Sequence, residues 1–306
     1  METVIQNQKT ALITGAASGV GFAVAKLCRS KGMHLALVDI DRETLTETKK
    51  VLYDLNPCLR IEAYALDVAE KPAWTEAVQQ IVQLFPQIDL VVLNAGKSYK
   101  ALGQPDGGRL KPWLDSTYWT KTLDTNVFGP LIGLEALLPL LLASTTQTPK
   151  SIVITGSKQG ITNPPGAGNP AYNASKAAIK SLTEHLAHDL RSDPATAHIS
   201  VHLLIPGWTW TGLMGNVGPT HESEVKKPSG AWYASQVAEE LLAGLERRSF
   251  YIICSDGETD WALDQARMKW ASEDVTEDRP ALSRWEESWK SRADAEIQAD
   301  AKTRRG

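Results

Sequence analysis

The sequence predicts an α/β protein: one doubly wound, seven-stranded parallel sheet with helices on both faces. Three observations carry this. Short aliphatic runs recur along the chain, segments of helical periodicity separate them, and the runs are apolar almost throughout instead of alternating. Near-continuous apolar strands belong to parallel sheets covered on both sides, and right-handed crossovers then give the doubly wound arrangement. "KTALIT" (9–14) is the first strand, and "GVGFAVAKLCRSKG" is the first helix, closed by Gly32 as a C-terminal cap. "HLALVD" (34–39) is the second strand and "RETLTETKKVLYDL" the second helix. "RIEAYALDV" (60–68), "IDLVVLNAG" (88–96), "KSIVITGS" (150–157), "HISVHLLIPG" (198–207) and "FYIICSDG" (250–257) complete the strands.

The chain of 306 residues is 42% hydrophobic and carries a formal net charge of -4. That charge leaves no electrostatic footprint for nucleic acid. The three cysteines, Cys28, Cys58 and Cys254, form neither a disulfide framework nor a metal-ligand pattern; they are expected to be buried thiols in a reducing, cytoplasmic setting. The polar start lacks an apolar signal segment, and no apolar run approaches the roughly 20 residues of a membrane span. The longest run, "PLIGLEALLPLLLA" (130–143), is interrupted by Pro139 and reads as a buried helix. Residues 1–258 are expected to form one domain. Residues 259–306 form a charged extension with several of the ten tryptophans, expected to be helical pieces that fray after about Ala293.

Between the first strand and first helix lies "TGAASGVG" (14–21). Gly15 allows a tight turn, Gly19 lets the backbone approach a pyrophosphate, and Gly21 allows close packing of helix on sheet. The helix N-terminus then offers unpaired N–H groups to phosphate. Asp39 ends the second strand about 20 residues on, where an acid can bind the ribose hydroxyls of NAD and repel a 2′-phosphate. Neither Ile40 nor Ala17 supplies a basic substitute, and Arg42 is expected to face solvent from the next helix. NAD is therefore the preferred cofactor, with NADP possible; as an alternative, Asp39 could cap the following helix. Further on, "NPAYNASKAAIK" (169–180) places Tyr172 and Lys176 on one helix face. Such a pair can hold a phenol acidic beside an ammonium.

Taken together, these motifs resemble the short-chain dehydrogenase/reductase family, with its Rossmann fold, over roughly residues 8–257. "TGAASGVG", with Ser18 and Val20, matches the family's phosphate turn, and "LDV" (66–68) places Asp67 and Val68 at the adenine. "LNAG" (93–96) matches the Asn-Asn-Ala-Gly motif through Asn94, Ala95 and Gly96, with Leu93 replacing the first asparagine. "TNVFG" carries Asn126, "TGSKQG" carries Ser157, and "YNASK" carries Tyr172 and Lys176. "PGWTWT" (206–211) supplies Pro206, Gly207, Thr209 and Thr211 around the nicotinamide. The resemblance implies hydride transfer between a secondary alcohol and a ketone, with Tyr172 as general acid/base, Ser157 as donor to the substrate oxygen, Lys176 on the nicotinamide ribose, and Asn126 anchoring a relay water. It also implies a homodimer or homotetramer.

The substrate mouth is expected from residues 97–119, 157–170 and a lid at about 207–232, with Tyr99, Gln159, Trp208, Trp210 and Trp232 as candidates for an apolar pocket. An aromatic or polycyclic alcohol or ketone fits that composition. No metal site is expected. The alternatives are an epimerase or isomerase that recycles the nucleotide within one turnover, and a nucleotide-sensing protein without turnover.

Overall fold

A computed structural model describes residues 4–101, 111–143, 148–165, 169–214, 218–219, 222 and 226–306. Parts of the three expected substrate segments (102–110, 166–168, 215–217, 220–221 and 223–225) lie outside the described residues. The strands are β1 (Thr10–Thr14), β2 (His34–Asp39), β3 (Ile61–Ala65), β4 (Leu90–Leu93), β5 (Lys150–Thr155), β6 (Ile199–Ile205) and β7 (Tyr251–Ile253). They form one seven-stranded sheet in the order β3-β2-β1-β4-β5-β6-β7. Every pairing is parallel. The order reverses between β1 and β4, which opens a crevice at the strands' carboxyl ends.

Successive residues of a strand point to opposite faces, and the sequence fills both with aliphatics. Ala11, Ile13, Val153 and Leu204 face one side, under helices α1 (Gly19–Ser30) and α8 (Ala234–Glu246). Leu12, Ile152, Ile154 and Leu203 face the other, under α3 (Lys71–Leu84), α5 (Gly129–Leu142) and α7 (Pro170–Ser192). The helix α2 (Arg42–Leu55) begins at Asp41, whose carboxylate accepts the Thr44 N–H at 3.0 Å. Helix α4 (Ser116–Leu123) continues through a π turn, Asp124–Phe128, into α5. A short α6 (Gln159–Thr162) follows β5.

Two expectations are corrected. The chain does not fray after Ala293: α9 (Trp261–Thr276) and α10 (Glu287–Arg304) pack on each other. Ala293, Ile297 and Ala301 are buried against Leu263, Ala266 and Trp270, one residue per turn along α10, a spacing masked by its charged majority. Cys58 is exposed, in a turn after α2, while Cys28 and Cys254 are buried and pushed up to about 12 by that burial. Among the described residues one helix, the 27-residue Ser116–Leu142, is long and apolar enough to cross a membrane by length and composition alone, a test that the core helix of a folded domain also passes. The π turn joins α4 to the apolar run, so Pro139 does not shorten it; its Pro sits inside α5. That helix packs against α3 and α7.

Candidate active site

The glycine turn is shaped by close approach. Gly15 and Gly19 take positive φ, +66° and +53°. A Cβ on Gly21 would lie 2.0 Å from the Gly15 carbonyl oxygen, so only glycine lets α1 start so near β1. Ser18 occupies the N-cap position but makes no side-chain cap hydrogen bond, which leaves the first-turn N–H groups of α1 without that partner. Val20 is buried, and Thr211 packs against Gly19, with its Cβ 3.0 Å from where a Gly19 side chain would begin. Asp39 does not cap α2; Asp41 does. The Asp39 carboxylate instead accepts Ala17 N–H at 3.0 Å and Asp41 N–H at 3.1 Å, tying the glycine turn to β2. Ile40 beside it is exposed, and so is Arg42. Asp67 accepts the Ala69 N–H at 3.0 Å, and the Val68 carbonyl accepts the Trp74 indole N–H at 3.1 Å. Uncapped amides, a cradle that a Cβ would fill and an acid at the end of β2 are what a dinucleotide requires.

Asn94 joins three strand ends. Its N–H donates to Thr14 Oγ1 at 2.9 Å, its amide nitrogen to the Thr14 carbonyl at 3.2 Å, and its amide oxygen accepts Thr155 Oγ1 at 3.2 Å. The Ala95 N–H also reaches Thr14 Oγ1, at 3.0 Å. Leu93 is buried, as a strand residue of that face should be. A Cβ on Gly96 would come within 3.3 Å of Asn126 Oδ1 and 3.5 Å of Lys176 Nζ. Asn126, in the π turn, is buried and clamps the next residue: Oδ1 accepts Lys97 N–H at 2.8 Å, and Nδ2 donates to the Lys97 carbonyl at 2.9 Å and to Ser175 Oγ at 3.0 Å.

Helix α7 brings Tyr172 and Lys176 together as the spacing predicts, with Nζ 5.7 Å from the phenol ring centre. Lys176 is buried and donates to the Thr155 carbonyl at 2.8 Å. Burial pulls its ammonium down to about 8. Tyr172 departs from the expected acidic phenol: burial pushes it up, and a hydrogen bond with Ser157 opposes that push. Both groups are desolvated together, and burial works against the charged form of each. Ser157 Oγ also accepts the Gln159 N–H at 3.2 Å. Gly160 lets this loop touch α7, since a Cβ there would lie 2.5 Å from the Lys176 carbonyl carbon.

The five candidate substrate residues separate. Tyr99 lies at the α7 N-terminus with Ala101, Tyr118 and Ala171, its hydroxyl 3.2 Å from Thr125 Oγ1. Gln159 is exposed at the start of α6. Trp208 is exposed, while Trp232 is partly buried and packs against the core on the α1–α8 face. Trp210 lines a cleft of about 360 Å³ between α1 and α8, with Gly19, Phe22 and Tyr233. Trp210 and Trp232 are thus on the opposite side of the sheet from α7. The reason is local pairing: Trp232 N–H bonds the Trp208 carbonyl at 2.8 Å, and Trp210 N–H bonds the Trp232 carbonyl at 2.9 Å. This bridge, with Thr209 opposite Trp232, pins the two ends of the expected lid. The Thr209 hydroxyl turns back to the Gly207 carbonyl at 3.1 Å, and Pro206 offers its carbonyl to the Lys158 N–H at 3.4 Å.

Asn169 and Tyr118 complete the site without having been singled out by pattern. Asn169 caps α7 by accepting Tyr172 N–H at 3.3 Å, and Tyr118 donates to Asn169 Oδ1 at 2.6 Å. The Tyr118 oxygen in turn accepts Ala171 N–H at 3.1 Å. The signal for Asn169 was legible as an N-cap asparagine before a first-turn proline; Tyr118, about 50 residues upstream, left none.

The family described as short chain dehydrogenase matches residues 9–222. The chain is 29% identical over 266 residues to the CLA biosynthesis dehydrogenase/reductase of Lactiplantibacillus plantarum, covering 80% of this chain and 87% of that one. It is 32% identical over 205 residues to the 3-oxoacyl-[acyl-carrier-protein] reductase FabG of Thermotoga maritima, covering 67% and 76%. A short chain dehydrogenase/reductase from Burkholderia phymatum, solved in complex with NAD, superposes with a TM-score of 0.73 at 26% identity, covering 92% of this chain and 98% of the other. With the matched region spanning most of the chain and the sheet complete, the protein belongs to the short-chain dehydrogenase family, an NAD(P)-dependent oxidoreductase family.

Proposed function

We infer that this protein interconverts a secondary alcohol and a ketone by hydride transfer, with NAD as the preferred cofactor. The observation that carries the reading is the convergence of Ser157, Tyr172 and Lys176: a phenol that feels a serine hydroxyl, beside a buried ammonium 5.7 Å from its ring centre. Bound nicotinamide supplies the hydride chemistry; the chain supplies position and protons. The amides at the α1 N-terminus, Asp39, Asp67 and the Asn94–Gly96 turn are the residues suited to hold the dinucleotide, with Pro206, Gly207, Thr209 and Thr211 flanking its reactive end. Ser157 is placed to donate to a substrate oxygen and stabilise charge that develops there. Tyr172 Oη would then deliver the proton to that oxygen in reduction and remove it in oxidation. Lys176 has three donors and spends one on Thr155, so others remain for the ribose and for the phenol oxygen. The Asn126 side chain is committed to Lys97 and Ser175, which supports it as a positioning residue; a relay water there would rest on backbone oxygen.

The FabG relative is named for reduction of a 3-oxoacyl group and the Burkholderia protein was solved with NAD, which supports a ketone substrate and this cofactor class. With Trp210 and Trp232 on the other face, the aromatic lining reduces to Tyr99, Trp208 and their neighbours, and a small or aliphatic carbonyl fits as well as an aromatic one. The test is a screen of ketones and alcohols with NAD(H) and NADP(H), followed by absorbance. Net NADH consumption with a ketone is the expected result. Product formation without net change in NADH would assign the epimerase alternative instead.

A further inference from the structure

Another shielded lysine, Lys158, lies next to Ser157 in the chain and is held by two carboxylates. The Lys158 ammonium sits between Asp256, after β7, and Asp264, on α9. Nζ is 3.3 Å from Asp256 Oδ2 and 2.6 Å from Asp264 Oδ2, with the side chains 13%, 10% and 4% exposed respectively. The Asp256 contact is a hydrogen bond and the Asp264 contact a close ion pair. Gly207 makes room for the cluster, since a Cβ there would lie 2.7 Å from Asp256 Oδ2 and 2.9 Å from Lys158 Nζ. The same Asp256 carboxylate accepts Trp208 N–H at 3.3 Å, and Lys158 N–H donates to the Pro206 carbonyl at 3.4 Å. Residue 158 is therefore fixed to the Pro206–Trp208 segment through both backbone and side chain. Burial works to raise Asp256, yet Lys158 and the N–H groups of Trp208 and Glu258 bring it below its ordinary value. Asp264 is raised by burial despite Lys158.

Buried ion pairs add little net stability, and their best use is to fix one arrangement over others. The arrangement fixed here joins four separate segments: the Ser157 loop, the Pro206–Trp208 turn, the loop after β7, and the C-terminal extension. Helix α9 also packs on α6, which carries the rest of the serine loop. We propose that Asp264 of the C-terminal extension is a positioning residue for hydride transfer: through Lys158 it sets Ser157 against the Pro206–Trp208 segment. This rests on the role inferred for Ser157 above. Through Asp264, helix α9 is then a working part of the active site.

Asp264→Asn keeps the shape and removes the charge. On the full cofactor-free chain, amide hydrogen exchange across residues 157–163 is expected to quicken about tenfold, the local opening that a loosened loop permits. In turnover, kcat is expected to fall about tenfold or more, with KM for the dinucleotide changed less than about twofold, because misplacing one reacting group costs chemistry before binding. Asp264→Glu, which keeps the charge, is expected to restore most of kcat. Ile297→Val loosens the α9–α10 seam without touching Lys158, and its kcat is expected to stay at the wild-type level. Unchanged exchange and unchanged kcat in Asp264→Asn would overturn the proposal. An equal kcat loss in Ile297→Val would also overturn it, by showing a general effect of destabilisation. If the wild type reduces no carbonyl in the screen, the inferred function fails, and exchange alone then decides the coupling: faster supports it and unchanged defeats it.

Discussion

Two buried cations at opposite ends of the sheet are treated differently by the fold. Arg29, in the last turn of α1, is buried among backbone carbonyls at the amino ends of β2 and β3. Its Nε donates to Leu52 O at 3.0 Å, Nη1 to Arg60 O at 3.2 Å and Met33 O at 3.5 Å, and Nη2 to Asn56 O at 2.7 Å and Leu59 O at 2.9 Å. Lys176, at the carboxyl ends, has a hydrogen bond to Thr155 O alone among the described residues. Burial lowers both, but only Arg29 is saturated with acceptors. A structural cation uses all its donors to tie the chain together. The lysine proposed for the chemistry keeps donors in reserve and is less stable for it.

The comparison is broken most severely at the reserved end. Tyr172→Phe removes the phenol that Lys176 faces and is expected to lower kcat by about 10³-fold or more, while the Kd for NAD, read by fluorescence quenching, stays near the wild-type value. Near wild-type turnover would remove Tyr172 from the chemistry. At the saturated end, Arg29→Met leaves the five carbonyls without their donor. It is expected to cost about 3 kcal/mol or more in urea unfolding; a loss below about 1 kcal/mol would show that Arg29 is not the tie it looks like.

A finer test uses pH. Lys176 has a folded pKa of about 8 against an ordinary 10.5. A depressed lysine penalises the fold wherever it is charged in both states, so the penalty is full below about 8 and is relieved as pH rises towards 10.5. The stability of wild type relative to Lys176→Met is therefore expected to rise across that window, by at most about 3 kcal/mol. A difference flat with pH would mean that Lys176 is not desolvated. The smallest effect falls on an anion that follows the same rule. Each Asp39 oxygen accepts one N–H and keeps lone pairs for a ligand. Asp39→Ala is expected to narrow the NAD over NADP preference about tenfold in kcat/KM, the size of one lost charge-assisted contact. An unchanged ratio would place cofactor choice elsewhere.

The strands and the chemical side chains were legible because both are written locally. Aliphatic runs mark the sheet, and "YNASK" puts Tyr172 and Lys176 four apart on one helix. What was not legible is what distant segments do to one another. The Trp208–Trp232–Trp210 bridge turns two tryptophans away from α7, and no periodicity announces it. The direction in which burial moves the Tyr172 phenol was hidden for a related reason: spacing gives proximity, but burial depends on the whole fold. The order of α10 was hidden because Ala293, Ile297 and Ala301 supply a narrow small-residue stripe in a charged helix.

The π turn at Asp124–Phe128 has a consequence for the gene's tolerance of length changes. A π turn holds one residue more than an α turn. Deleting a single residue there would let the hydrogen-bond ladder close as ordinary α-helix, and because the π turn stores that residue locally, the helix beyond it would keep its phase. Leu134, Leu137 and Leu141 would go on facing the sheet. The same deletion further along α5, where no extra residue is stored, would turn everything beyond it by about 100°, so a one-residue loss is absorbed at the π turn and not after it; its cost would fall on Asn126, which the turn itself positions.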